Sequence, residues 1–431
     1  MGTKSRPPAL TLRYCLLISG WEGEAVSVDG RNGFGVTEFV RVVAGAPSKK
    51  QRQHIHRMKN IVRLESIPTV PARRRLTGGG WWLALLCAAL TAQAEEHFRQ
   101  VNLVSDLPGV AQLQDDALVN AWGLSAGPTT PFWVSDNGTG VSTLYLVTND
   151  TANVEHVTKL GLTVAIPGEG SLTGQLFNNT ASFNTNAFIF VSEDGTISGW
   201  RTSLGVTAEV LATRPGANYK GVALADTANG PLLLAANFAE GTIDAYNGTM
   251  QLVAQFADPH APAGYAPFNV QSLDGLIFVT YAMQDANKED DVPGRGHGLI
   301  DVLNPETGAF HRFATGSAAG GRLQELNSPW GLALAPASFG KHAGELLVGN
   351  FGSGTIMTFD AEGKFRGYLK GEHEGPIVIE GLWALLVGNG DRGGDEDAVY
   401  FTAGPGGEAH GLFGSLYPAR EKEDYGHRGN R

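Results

Sequence analysis

Short apolar runs broken by Gly, Asn or Pro recur along the chain, the pattern of strand, turn, strand. The clearest copy is Asn327-Ser328-Pro329-Trp330-Gly331-Leu332-Ala333-Leu334, continued by Leu346-Leu347-Val348 and by Gly354-Thr355-Ile356 through Phe359. Six copies align on a small residue in the first strand of each: Gly123, Gly174, Gly221, Asn269, Gly331 and Ala384. Their spacings are 51, 47, 48, 62 and 53 residues. A β unit repeating every ~40–50 residues predicts a propeller. First strands crowd a central channel there, and a missing side chain lets neighbouring backbones approach; a bulge is the other meaning of a strand glycine.

Second strands read as continuous apolar runs, such as Phe132-Trp133-Val134-Ser135 and Phe188-Ile189-Phe190-Val191. Strands covered on both faces by neighbouring blades have this composition. Third strands repeat Gly-Thr-Ile at Gly195, Gly241 and Gly354. The Gly suits a tight hairpin, and the β-branched residues suit the pleat that follows. Fourth strands are visible in five units, among them Leu252-Val253-Ala254-Gln255-Phe256 and Phe365-Arg366-Gly367-Tyr368-Leu369, but the sixth lacks one. Phe98-Arg99-Gln100-Val101-Asn102-Leu103-Val104 begins with the same Phe-Arg pair as the fifth outer strand. The expectation is therefore an all-β, six-bladed β-propeller over 95–418, its N-terminal strand completing the last blade and leaving no open edge.

Charge divides the chain. Of its 32 Lys+Arg and 43 Asp+Glu, 14 and 5 precede Glu95, leaving a remainder of net charge −20. Arg73-Arg74-Arg75, the apolar run Trp81 to Leu90 and Ala92-Gln93-Ala94 follow the order of an export signal. The run is shorter than the ~20 residues that span a bilayer, so no transmembrane anchor is expected in the mature chain. Residues 58–94 read as the signal peptide, 1–57 as an upstream extension, and 419–431 as a disordered polar tail. Cys15 and Cys87 both precede the cleavage point, which excludes a disulfide or thiolate metal site afterwards. The expected location is periplasmic or secreted. Nucleic acid is excluded as a partner, because phosphate binding needs a basic surface.

The chain resembles an uncharacterised family of secreted bacterial β-propeller proteins, and more distantly is similar to NHL-repeat and gluconolactonase-like propellers. The likeness spans roughly 97–418 and rests on Tyr400-Phe401-Thr402-Ala403-Gly404 with Glu408-Ala409-His410-Gly411-Leu412-Phe413-Gly414, on Asn120-Ala121-Trp122-Gly123-Leu124, and on Glu193 to Trp200. It implies the fold and export and brings no reaction with it. Gluconolactonase-like enzymes carry a metal-binding Glu at the start of an early inner strand; here Val119-Asn120-Ala121-Trp122 offers no carboxylate.

Candidate chemistry gathers on the face formed by the loops between second and third strands. Asn137, Asp194, Asn237 and Asn350 are the candidate ligand-binding residues there, although Asn and Asp also occupy hairpins for backbone reasons alone. Blade four inserts Met283 to His297, a long loop that reads as a functional lid or a solvated excursion. Its Asp285, Asp290 and Asp291 are candidate ligands for a divalent cation, Ca²⁺ by preference for oxygen, without the spacing of an EF-hand. His297, Glu408 and His410 are the candidate catalytic groups, Glu408 and His410 as an alternating pair.

Two functional readings follow. One is a binding or scaffold module of the cell envelope, holding a small molecule, glycan or envelope protein on the loop face. The other is a metal-assisted hydrolase or lyase acting on a small molecule or glycan in the central funnel. Fold alone does not choose between them, and whether the chain is an enzyme stays open at this point.

Overall fold

The computed structural model describes residues 96–419, apart from 152–153, 317–324 and 374. The expected extension, signal peptide and all of the polar tail beyond Ala419 lie outside the described residues. Six antiparallel sheets follow one another, each meandering outward through four strands. Blade one comprises Ala121–Ser125, Phe132–Asp136, Val141–Asn149 and Glu155–Ala165. Blades two to five open with the inner strands Leu172–Phe177, Tyr219–Thr227, Tyr265–Leu273 and Pro329–Leu334. Blade six is Leu382–Val387, Val399–Ala403 and Leu412–Pro418, and its fourth strand is His97–Ser105.

That fourth strand closes the ring as the sequence predicted. It pairs antiparallel with Leu412–Pro418, from Phe98 opposite Pro418 to Ser105 opposite Leu412. Two short strands, Leu113–Gln114 and Lys370–Gly371, add parallel to its two ends and cover part of the edge. Phe98, Leu103 and Val104 are almost wholly buried, and Phe98 packs on Phe339 with ring centroids 4.7 Å apart.

The small-residue anchor serves both of its expected meanings at once. Every inner strand breaks register at or beside the anchor, so each blade carries a bulge there. The bulge turns the anchor toward the next blade, where no space is left. A Cβ on Gly123 would collide with Thr173 O, one on Gly174 with the backbone of Gly221, and one on Gly331 with Trp383 O. Blade four uses Asn269 instead, and its side chain fills the gap by donating to Trp330 O at 2.7 Å and accepting from Val270 N at 2.8 Å. The second strands Phe132–Asp136 and Phe188–Ser192 are buried along their length, whereas the outer strand Leu252–Phe256 is largely exposed, as the apolar patterning requires. No described helix is long and apolar enough to cross a membrane.

Candidate functional site

The bulges set a second register. The residue before each anchor is, in blade order, Trp122, Thr173, Lys220, Phe268, Trp330 and Trp383, and the four aromatic ones pack together at the centre of the ring. Aromatic rings fill most of that tier. Trp383 stacks between Trp122, at 3.6 Å, and Phe351, at 3.9 Å, while Trp330 and Phe268 meet it edge-on or tilted at 6.0 and 5.9 Å. One member is charged, and it is buried: Lys220 is 1% exposed.

Burying an ammonium is costly unless it is paired and hydrogen-bonded, and Lys220 has both kinds of support. Its Nζ lies 5.3 Å from the Trp122 ring centre and 5.9 Å from that of Phe238, close enough for cation–π attraction. It donates to Glu193 Oε1, and Asp290 Oδ1 stands 3.6 Å away. Glu193 Oε2 accepts from Asn137 Nδ2 at 3.3 Å. Asn120 Nδ2 bridges Asn137 Oδ1, at 3.2 Å, and Glu408 Oε2, at 2.8 Å, and its Oδ1 accepts from Trp383 Nε1 at 2.9 Å. A single chain of contacts thus links the rim in blades one, two, three and six.

Backbone strain aims several of these groups. Asn120, Ser328 and Glu408 have φ of 46°, 48° and 70°, a region that costs non-glycine residues free energy and clusters at functional sites. Asn120 and Ser328 occupy equivalent positions, two residues before Trp122 and Trp330; the blade-three counterpart is Asn218.

The blade-four insertion is an ordered hairpin. Val292 N donates to Met283 O and Asp285 N to Asp290 O, each at 2.8 Å, and Gln284 bridges Asp291. It is tied to both neighbouring blades. Gln284 Nε2 donates to Phe238 O at 2.5 Å, Asn218 Nδ2 to Glu289 O at 3.4 Å, and Gly294 N to Asn327 Oδ1 at 2.6 Å. The tip thereby carries Asp290 to Lys220.

The candidate metal ligands do not converge. Asp285 accepts from Glu289 N and Asp290 N, and these amides hold its pKa below the ordinary aspartate value. Asp290 faces Lys220. Asp291 is half-buried, and burial raises its pKa; the Ser328 hydroxyl and Lys220 soften the rise. Among the described residues no three His, Cys, Asp or Glu side chains group as metal ligands. The expectation was that crowded carboxylates would recruit a divalent ion. Lys220 supplies the cation instead, so the residues present do not fit Ca²⁺.

The catalytic candidates also part company. Glu408 turns into the funnel, whereas His410 Nδ1 bonds Asp106 Oδ2 at 2.7 Å. His297 Nδ1 is held by Val292 O at 2.8 Å, within its own loop. Of the candidate ligand-binding residues, Asn137 belongs to the site. Asp194 accepts from Glu169 N at 2.8 Å and Thr196 N at 2.9 Å, Asn237 donates to Asp244 Oδ2 at 3.1 Å, and Asn350 accepts from Asn327 N at 2.9 Å. These three are turn and core residues.

Burial raises the pKa of Glu408 above the ordinary glutamate value. The bond from Asn120 and the charge of Lys220 oppose that rise, while Glu193 and Asp290 reinforce it. A folded-state pKa above the unfolded one means that the native protein holds this proton longer, so stability falls as pH rises through the folded value. Glu408→Gln removes that loss. The variant is expected to melt with the parent below about pH 4, where both forms are neutral, and above it at pH 8; parallel curves at both pH values would show Glu408 to be unperturbed.

No family model matches the sequence. "Uncharacterized protein R648" of Acanthamoeba polyphaga mimivirus is 26% identical over 336 residues, covering 73% of this chain and 78% of its own length. "Uncharacterized protein L690" of the same virus is 26% identical over 342 residues, covering 73% and 84%. "Uncharacterized protein R640", also of that virus, is 30% identical over 209 residues, covering 46% and 37%. Among solved structures, a streptogramin B lyase matches 75% of this chain and 98% of its own at 9% identity and a TM-score of 0.42. The WD40 propeller domain of Doa1 covers 70% and 94% at 12% identity and a TM-score of 0.40. The sequence relatives are viral, so the bacterial affiliation and secretion implied by the family resemblance find no support in them. The chain is a six-bladed β-propeller, and its sequence relatives are uncharacterised.

Proposed function

We propose that the protein is a binding propeller whose loop-face funnel holds a small molecule between Lys220 and the blade-four hairpin. The observation that carries this reading is Lys220 itself. A buried ammonium among these aromatic rings contributes nothing to the ring that a fifth apolar residue would not, yet here two carboxylates are brought to it, one of them on the blade-four hairpin. Convergent polar groups on an apolar floor are the common form of a small-molecule site. Binding without reaction is favoured over a metal-assisted hydrolase or lyase because His297 and His410, two of the three groups that reading needs, bond to Val292 O and Asp106 rather than to the Lys220 network.

Trp122, Trp330 and Trp383 report on the site directly. Screening sugars, polyols, amines and organic acids by tryptophan fluorescence and thermal shift is expected to find a ligand that raises the melting temperature by mass action, with the shift lost in Lys220→Met. No shift by any class, or a shift that survives Lys220→Met, overturns the assignment. Export is part of the same proposal, supported by blade six taking up its strand from His97 onward; N-terminal sequencing of the mature protein checks it.

A further inference from the structure

Among the described residues, four polar atoms around the funnel are buried without a well-formed hydrogen bond: Trp122 Nε1, Asn218 Oδ1, Ser328 Oγ and Asp291 Oδ2, the last two facing only each other. Trp122 is 3% exposed, Asn218 8% and Ser328 0%. Buried polar groups are nearly always paired, and one left alone calls for an explanation such as a ligand or water. All four adjoin the Lys220 site. The Trp122 ring lies beneath Lys220 Nζ, the Asn218 amide holds the hairpin at Glu289, and the Ser328 hydroxyl faces the Asp291 carboxylate, which feels the charge of Lys220.

Their chemistry is mixed. The indole N–H can only donate, the Asn218 carbonyl oxygen can only accept, an ionised Asp291 can only accept, and the Ser328 hydroxyl does both. An ammonium ligand would satisfy the acceptors and leave the Trp122 N–H bare. A carboxylate ligand would serve Trp122 and Lys220 but meet Glu193, Asp290 and Glu408, a like-charge encounter that disfavours it. A hydroxyl donates and accepts, so several on one small frame can answer every orphan without adding charge.

We infer that the funnel binds a neutral polyhydroxylated molecule, a sugar or cyclic polyol, with hydroxyls shared among Trp122 Nε1, Asn218, Ser328 and the Lys220–Asp290 pair. The inference rests on the reading of the funnel as a ligand site and names its chemical class. The partly buried Phe351, stacked on Trp383, offers an apolar face to the ring carbons of such a ligand.

The test titrates the whole protein with methyl glucoside, methyl galactoside, methyl mannoside and myo-inositol, and in parallel with choline and succinate, by calorimetry. At least one polyol is expected to bind while choline and succinate do not. Trp122→Phe, which removes the N–H and keeps an aromatic ring, and Ser328→Ala are each expected to weaken binding about five- to tenfold, the worth of one neutral hydrogen bond. Ser328→Ala keeps the test open if Trp122→Phe misfolds, and Lys220→Met is expected to abolish binding. Binding of choline or succinate in preference, lost in Lys220→Met, overturns the polyol class and leaves the site standing. Polyol binding insensitive to both Trp122→Phe and Ser328→Ala overturns the inference that the unpaired atoms hold its hydroxyls. Absence of binding by all six compounds, or binding indifferent to Lys220→Met, overturns the polyol inference and the site together.

Discussion

A protein lacking residues 95–105 is expected to lose cooperative folding rather than merely soften. The deleted strand buries Phe98, Leu103 and Val104, and large apolar side chains contribute about 1.5–3 kcal/mol each when fully buried. Three of them amount to a large part of the roughly 5–15 kcal/mol that holds a whole domain folded. The loss does not stop at apolar area. Leu412–Pro418 becomes an unpaired edge, the His97 contact to Gly371 O at 2.7 Å disappears, and so does the Ser105 bond to Gly411 O at 2.9 Å. Because blade six joins the chain's two ends, its failure opens the ring and exposes the flanks of blades one and five. Thermal unfolding followed by circular dichroism checks this; a truncated protein that melts with the parent would show blade six to be closed by other contacts.

The ring was legible in the sequence because its determinants are local and repeated. Apolar second strands, Gly-Thr-Ile hairpins and the six anchors each recur, and the Phe-Arg pair at Phe98 and Phe365 marks two outer strands that the structure places in equivalent positions. The site was legible only in part, because it depends on where single side chains turn. Glu408 and His410 were paired on the premise that alternate residues face the same way. With φ of 70° at Glu408 that premise fails, and the two diverge to Asn120 and Asp106. Asp194, Asn237 and Asn350 show the converse, polar residues on the right face that answer backbone demands.

Lys220 stands beside an anchor, where residue type alone does not mark it as part of a site. The signal that could have found it is the register one position earlier, where four aromatic residues and a threonine share their place with one lysine. A charged residue at a position the repeat fills with rings is more informative than any single Asp or Asn in a hairpin. The carboxylate cluster likewise pointed the wrong way on its own. Acidic residues brought together need a cation, and the sequence could not show that the protein supplies its own from another blade.

The Lys220–Glu193 pair should therefore respond unequally to losing one partner or the other. Lys220 is 1% exposed, whereas the Glu193 side chain keeps 24% of its surface in contact with solvent. Glu193→Gln retains the shape and the contact to Asn137 but leaves a buried ammonium short of its closest counter-charge. Removing one partner of a buried ion pair costs about 3–5 kcal/mol. The lower end applies here, about 3 kcal/mol, because Asp290 stands 3.6 Å from the ammonium and Glu408 also feels its charge, so counter-charge remains nearby. Lys220→Met instead returns Glu193 to water and packs an apolar chain against Trp122 and Phe238. Its cost is expected to be smaller, about 1 kcal/mol, because the larger penalty is that of a charge left buried, whereas Glu193 keeps its contact with solvent. The double variant should then recover most of what Glu193→Gln loses, a coupling that denaturant unfolding of all four proteins measures as a cycle. Equal losses from the two single variants, with no recovery in the double, would mean that Lys220 is hydrated in solution.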